Sequence, residues 1–181
     1  MRIISGKYKG RRFQLPKGLK ARPTTDFAKE GLFNILSNRM DFEELRVLDL
    51  FSGTGSIAFE FVSRGAARVT CVEQYSLHTK FINSVAKTLN EDAVVNVIQG
   101  DVYRFIEKGA SEYDLIFADS PFADERLSSI PEKIFKTNLL AKDGILIVEH
   151  SSKTDLSKHP FFDEKRTYGN VNFSIFERKE L

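Results

Sequence analysis

The chain has 181 residues, 41% of them hydrophobic and 29% charged, which is enough for one domain with a sizeable core and excludes wholesale disorder. The lone Cys71 excludes an intrachain disulfide and, with no run of about 18 apolar residues and no apolar leader in the basic start MRIISGKYKG, leads us to expect a soluble cytoplasmic protein. The net charge of +2 hides an asymmetry: residues 1–22 carry eight basic groups and no acid, leaving 19 basic against 25 acidic groups in the rest.

The basic groups of this arm are Arg2, Lys7, Lys9, Arg11, Arg12, Lys17, Lys20 and Arg22. A basic arm on an acidic body suits a polyanion, because each cation that meets a phosphate releases condensed counterions. Ile3, Ile4, Tyr8, Phe13 and Leu15 are interleaved with the cations, and Ser5-Gly6-Lys7-Tyr8-Lys9-Gly10 lies between two strand-like runs. That pattern predicts an ordered β-hairpin over 1–22, ahead of a main domain over 23–181.

Arg22-Pro23-Thr24-Thr25-Asp26 is a turn with several helix N-caps, and a helix is expected from there to about Arg39, burying Ala28, Leu32, Ile35 and Leu36. Strands are predicted at 46–50, 68–72, 94–98, 114–118 and 144–149, all short apolar runs of the kind covered on both faces. Helices are expected at 55–63, 76–89, 101–108 and 129–140, and an antiparallel hairpin at 162–168 and 171–178 around Tyr168-Gly169-Asn170. The fold class is therefore α/β: a three-layer, Rossmann-like sheet, mostly parallel, with an antiparallel C-terminal hairpin. Its ligand should lie beyond the carboxyl ends of the strands.

The first strand runs through Asp49, Leu50, Phe51, Ser52, Gly53, Thr54 and Gly55 into a helix. Such a glycine loop lets backbone approach a ligand, although a tight structural turn uses glycines in the same way. Gly53, Gly55 and Ala58 satisfy the dinucleotide fingerprint, and Glu73 ends the next strand where ribose hydroxyls would be bound. Asp49, however, would repel a pyrophosphate and suits an ammonium group. An adenosine ligand with a cationic amino-acid tail fits better than a nicotinamide cofactor. After the third strand, Asp101 and Val102 are placed to meet an adenine, while Asp101 also reads as a helix N-cap. After the fourth, Asp119-Ser120-Pro121-Phe122 joins a carboxylate, a stiff turn and an aromatic. Asp119 and a neighbouring carbonyl suit the protons of an exocyclic amine, and Phe122 either stacks on the base or packs in the core.

Together, Leu48 to Gly55, Glu73, Asp101 and Asp119-Ser120-Pro121-Phe122 resemble the class I S-adenosylmethionine-dependent methyltransferases that modify exocyclic amines. The basic start, Arg22-Pro23-Thr24-Thr25-Asp26, Leu32-Phe33-Asn34 and the Tyr168-Gly169 hairpin are similar to the RsmD-type bacterial enzymes, which make N2-methylguanosine at guanine 966 of 16S ribosomal RNA. The resemblance spans essentially the whole chain. It implies S-adenosylmethionine as cofactor, held by Asp49, Phe51, Gly53, Gly55, Glu73, Asp101 and Val102. It implies catalysis at Asp119, Ser120, Pro121 and Phe122, and RNA contacts from Arg2, Lys7, Lys9, Arg11, Arg12, Arg22 and Thr24. The partner would be 16S RNA or a small-subunit particle, with no metal, no membrane and no need for more than a monomer. One position departs from the family pattern Asp-Pro-Pro-Phe, which has proline where this chain has Ser120; the carbonyl of residue 120 survives that change, and the following Pro121 biases it towards extended geometry. Three rivals share part of this pattern: a DNA or small-molecule amino-methyltransferase, a non-catalytic RNA-binding protein that kept the fold, and a nicotinamide oxidoreductase. His78, His150 and His159 form no metal set, and Cys71 reads as a buried small hydrophobe.

Overall fold

A computed structural model of the chain describes residues 1–19, 24–121 and 123–178. The elements follow as α1 (Asp26–Leu36), β1 (Arg46–Leu50), α2 (Ser56–Ser63), β2 (Arg68–Glu73), α3 (Ser76–Leu89), β3 (Val95–Gln99), α4 (Val102–Lys108) and β4 (Tyr113–Ala118). A 3₁₀ turn (Glu125–Ser129), α5 (Ile130–Phe135), β5 (Leu140–His150), β6 (Phe162–Tyr168) and β7 (Val171–Phe176) complete the chain. The strands form one sheet in the order β3-β2-β1-β4-β5-β7-β6. β1 to β5 are parallel, and β7 enters antiparallel between β5 and β6. The chain direction across the sheet reverses between β1 and β4, the switch point at which such sheets open a crevice.

Period-two alternation divides the strand residues between two cores. Val47, Val69, Cys71, Leu115, Phe117, Ile145 and Ile147 pack with α1, α2 and α3. Leu48, Leu50, Val72, Ile116, Ala118, Leu146 and Val148 pack with α4 and α5. Cys71 is fully buried. No helix among the described residues is long and apolar enough to cross a membrane.

Three expectations need correction. Helix α1 stops at Leu36, short of Arg39, because the Ser37 hydroxyl and the Asn38 amide both donate to the Asn34 carbonyl, each at 3.0 Å, and compete with the helix ladder. Its buried face includes Lys29 and Phe33, while Ile35 is only partly covered. The helix expected over 129–140 ends at Phe135, where Thr137 folds back on the Ile134 carbonyl at 2.8 Å. Leu139 and Leu140, which continue the helical apolar spacing, instead meet Tyr113 at the edge of β4.

Over its described residues, 1–19, the basic arm folds back on itself, but its ladder is shorter than a regular hairpin: one antiparallel bridge joins Arg2 to Arg12, flanked by Ile3 N–H to Arg11 O at 3.0 Å. Ile3 is buried, and the arm is pinned to α2. The Glu60 carboxylate, fully buried, accepts from the Ile4 and Ser5 amides at 2.9 and 3.0 Å and from Arg64 at 3.1 and 3.2 Å. Lys29 of α1 lies 3.5 Å from the same carboxylate and donates to the Arg2 carbonyl at 2.7 Å and to Ser56 Oγ at 3.2 Å. Burial lowers the Lys29 pKa, and the Glu60 carboxylate opposes that shift. Gly6, at φ +79°, passes so close to α2 that a Cβ there would stand 2.0 Å from the Ser63 carbonyl oxygen.

Removing Glu60 strands two cations and two amides. Glu60→Ala should cost about 3–5 kcal/mol and lower Tm by roughly 10 °C in thermal melts. A loss of less than about 2 °C would show that the arm is anchored by packing alone.

Candidate active site

A cavity of about 740 Å³ opens at the carboxyl ends of β1, β2, β4 and β5. Asp49, Phe51, Ser52, Gly53, Thr54, Ser56 and Ile57 line it from β1 and the glycine loop, and Glu73, Gln74, Tyr75 and His78 from β2 and α3. Asp101 and Val102 flank it, and Phe117, Asp119, Ser120, Pro121, Asp124, Arg126 and Glu149 close the β4–β5 side. Thr24, Thr25 and Phe27 meet Tyr168 to Val171 at its mouth. The cavity thus collects most of the residues singled out in the sequence.

The glycine loop is shaped by its own bonds. Phe51 leaves β1 at φ 60°, the Ser52 hydroxyl donates to the Asp49 carbonyl at 2.6 Å, and Gly55 N–H closes on Ser52 O at 2.7 Å. Gly53 lies on the cavity wall at φ +54° with almost nothing above it, so a ligand can approach its backbone. Gly55 is different. It caps α2 at φ +74°, away from the cavity lining, and an added Cβ would press Phe59 at 3.0 Å and Ile82 at 3.2 Å. The need for glycine at 55 comes from its left-handed backbone and from packing.

Asp49 is 2% exposed, and its Oδ2 has no hydrogen-bond partner. Burial pushes its pKa up to about 8; the Ala58 amide opposes the shift, and the nearby Glu73 carboxylate adds to it. An unpartnered buried carboxylate on a cavity wall is a receptor for a cation. Glu73 is held rigidly, accepting from Gly53 N–H and Tyr75 N–H, each at 2.9 Å. Asp101 is the N-cap of α4, accepting from Arg104 N–H at 2.9 Å, and it also faces the cavity.

At the other end, Asp119 and Ser120 leave β4. Ser120 is buried, and its Oγ makes no hydrogen bond. Beside it, Tyr103 donates to Asp124 at 2.9 Å, and the Arg126 guanidinium lies 3.9 Å from the Tyr103 ring centroid while bonding Asp124 at 3.0 Å. Burial, with the Asp124 bond, raises the Tyr103 pKa. Glu149, at the end of β5 and 5% exposed, accepts from Thr24 Oγ1 at 2.7 Å. Phe27 is 68% exposed at the mouth, with its ring edge-on to Tyr168 at 5.7 Å.

Arg22 and Phe122 lie outside the described residues. Of the arm cations, Arg2, Lys7, Lys9, Arg11 and Arg12 do not reach the cavity; Lys7 pairs with Glu91 at 2.6 Å and Arg2 with Asp26 at 3.5 Å, while Lys9, Arg11 and Arg12 are exposed. As site residues, sequence reasoning passed over Glu149, Phe27, Tyr75 and Arg126, and it took His78 only as outside any metal set and Tyr168 only as part of the C-terminal hairpin. Glu149 had a readable signal, since it ends an apolar strand with a carboxylate as Glu73 does. His78 Nδ1 stands 3.5 Å from Glu73 without a hydrogen bond, and His150 is buried between Ser151 O and Ser174 Oγ at 2.9 and 2.8 Å. Among the described residues, no group of three or more His, Cys, Asp or Glu is arranged to hold a metal ion.

Residues 1–177 match the family model described as Conserved hypothetical protein 95. The chain is 34% identical to Ribosomal RNA small subunit methyltransferase D of Buchnera aphidicola subsp. Baizongia pistaciae, over 84% of this chain and 76% of that protein. It is 26% identical to the protein of the same name from Escherichia coli K12, over 99% and 90% of the two chains. The solved structure of yhhF from Escherichia coli superposes with a TM-score of 0.86 at 27% identity, covering 99% of this chain and 98% of that one.

The Asp49 carboxyl makes a pH prediction for the ligand-free protein. With a folded pKa of about 8 against 3.8 unfolded, the stability it contributes is present below about pH 4 and is lost as pH rises towards 8. Denaturant titrations between pH 5 and 8 should show stability falling with pH, and Asp49→Asn should flatten that slope. An equal slope in both proteins would place the proton elsewhere.

Proposed function

The chain belongs to the family described as Conserved hypothetical protein 95 and is a ribosomal RNA methyltransferase, and we propose that it uses S-adenosylmethionine to methylate a guanine N2 in the 16S RNA of the small subunit. One observation carries this reading. A single cavity is lined by Asp49, Glu73 and Asp101 at one end and by Asp119, Ser120 and Pro121 at the other.

The residues present fit the cofactor. Asp49, buried and with an unpartnered oxygen, suits the ammonium of its amino-acid part. Glu73, fixed by two backbone amides, is oriented for the ribose hydroxyls, and Asp101 and Val102 for the adenine. Phe51 adds an apolar wall braced edge-on by Tyr103 at 5.9 Å. When bound, the cofactor supplies an electrophilic methyl group on a sulfonium.

The chain's part is to present the acceptor. A guanine N2 is a poor nucleophile because its lone pair is delocalised into the ring. Asp119 and the Ser120 carbonyl accept its N–H groups and turn the lone pair out of the ring plane towards the methyl. Such alignment is worth up to roughly 7–11 kcal/mol in well-oriented cases. Asp119 also receives the proton released as the amine becomes cationic. Pro121 stiffens the turn, and the buried Ser120 takes the place of a proline without removing the carbonyl. The exposed cations Lys9, Arg11 and Arg12 hold RNA phosphates outside the cavity. Thr24, bonded to Glu149 inside it, serves the active site instead.

The decisive experiment is methyl transfer from labelled S-adenosylmethionine to small-subunit particles lacking the modification, followed by nucleoside analysis. Label should appear in N2-methylguanosine; intact cofactor binding with no label would overturn the substrate assignment. Asp119→Ala should lower turnover by about 10²-fold or more while cofactor Kd stays within about twofold. Wild-type turnover in that variant would remove Asp119 from the reaction. Charge reversal at Arg11 and Arg12 should weaken RNA binding and make its salt dependence shallower, the log–log slope dropping by about 1.5. An unchanged slope would move the phosphate contacts off the arm.

A further inference from the structure

The Asp119-Ser120-Pro121 turn recognises an exocyclic amine, and adenine has one as well as guanine. Choosing between the two bases requires a second group. The ring nitrogen beside the amine differs: guanine N1 carries a proton and donates, while adenine N1 accepts. A carboxylate facing that atom bonds the first and repels the second.

Glu149 is in the place to do this. The parallel register pairs Phe117 with Ile147 and Ala118 with Val148, so Asp119 and Glu149 occupy the next step on neighbouring strands, which run about 4.8 Å apart. Phe117 and Ile147 belong to the core under α1, α2 and α3, and alternation puts Glu149 on that same face, where it lines the cavity. It is 5% exposed, so its carboxylate meets a ligand in a largely dry setting. Thr24 donates to Oε2 at 2.7 Å, and a carboxylate has room for about four donors. Thr24 directly precedes the α1 N-cap Thr25, and α1 is tied to α2 through Lys29 and Glu60.

We propose that Glu149 reads the N1–H of the target guanine, with Thr24 as its positioning residue, and so sets the enzyme's choice of guanine over adenine. This rests on the guanine N2 reading above. Asp119 holds the reacting amine and Glu149 identifies the base that bears it.

2-Aminopurine separates the two roles, because it keeps the amine and has an unprotonated N1. Small-subunit particles assembled on RNA carrying guanine or 2-aminopurine at the target position would be compared by kcat/KM for transfer of labelled methyl. The wild-type enzyme should favour guanine by roughly 10²-fold or more, since the analogue leaves a buried carboxylate facing an acceptor. Glu149→Gln has nearly the same shape and can donate to N1. Its preference should shrink by about tenfold or more, with S-adenosylhomocysteine binding unchanged as the check on folding. Thr24→Val should shift the same ratio by a smaller factor. A wild-type ratio in Glu149→Gln, or equal losses on both bases, would overturn the role of Glu149 and leave the guanine N2 reading standing. No N2-methylguanosine from the wild-type enzyme would overturn that reading and this inference with it.

Discussion

The Glu60 carboxylate is the point at which three separate stretches of chain are held together. Itself fully buried, it takes two amides of the basic arm, an ammonium from α1 and the guanidinium of Arg64 at the end of its own helix. A buried carboxylate tolerates that position only if every lone pair is used, so the arm and α1 have little freedom to move independently of α2. Since α2 begins directly after the glycine loop, and Lys29 also bonds Ser56 at its first residue, the basic arm and the glycine loop are tied to the same helix.

Beyond that anchor, the site follows from the parity of parallel strands. Asp49 lies on the α1–α2–α3 side of β1 with Val47, and Glu149 on the same side of β5 with Ile147. Between them β4 delivers Asp119 one step after Ala118. Strand order β2-β1-β4-β5 therefore lays out Glu73, Asp49, Asp119 and Glu149 across the mouth of the sheet. Asp49 and Glu73 fall at one end and Asp119 and Glu149 at the other, with the switch point between β1 and β4 in the middle.

The sheet was legible because its strands are short apolar runs bounded by glycine and acidic residues, and few other structures bury such runs on both faces. The last helix was misjudged because Leu139 and Leu140 continue a helical spacing, and only pairing with Tyr113 turns them into strand. Asp49, Gly53, Glu73, Asp101, Asp119 and Ser120 were legible as candidates for the cavity, since carboxylates and glycines at strand ends are costly unless used. Phe27 and Tyr168 were not. They lie far apart in sequence, and an exposed aromatic is meaningful only once its neighbours are known. Gly55 was read as a cofactor residue, whereas it lies off the cavity lining, and its left-handed backbone and the Phe59 and Ile82 side chains account for the glycine there.

By itself, the sequence determined the alternation of strand and helix, the glycine loop, the acidic strand ends and the charge divide between arm and body. Each of these is a local property, set by hydrophobic period, backbone freedom or composition. Tertiary structure alone decided that Lys29 would be buried against Glu60, that Lys7 would be taken by Glu91, and that Thr24 would reach Glu149 across 125 positions of chain. Those pairings depend on distances between elements that no local pattern encodes, because burial and partner choice for a charged side chain are settled only when the helices dock on the sheet.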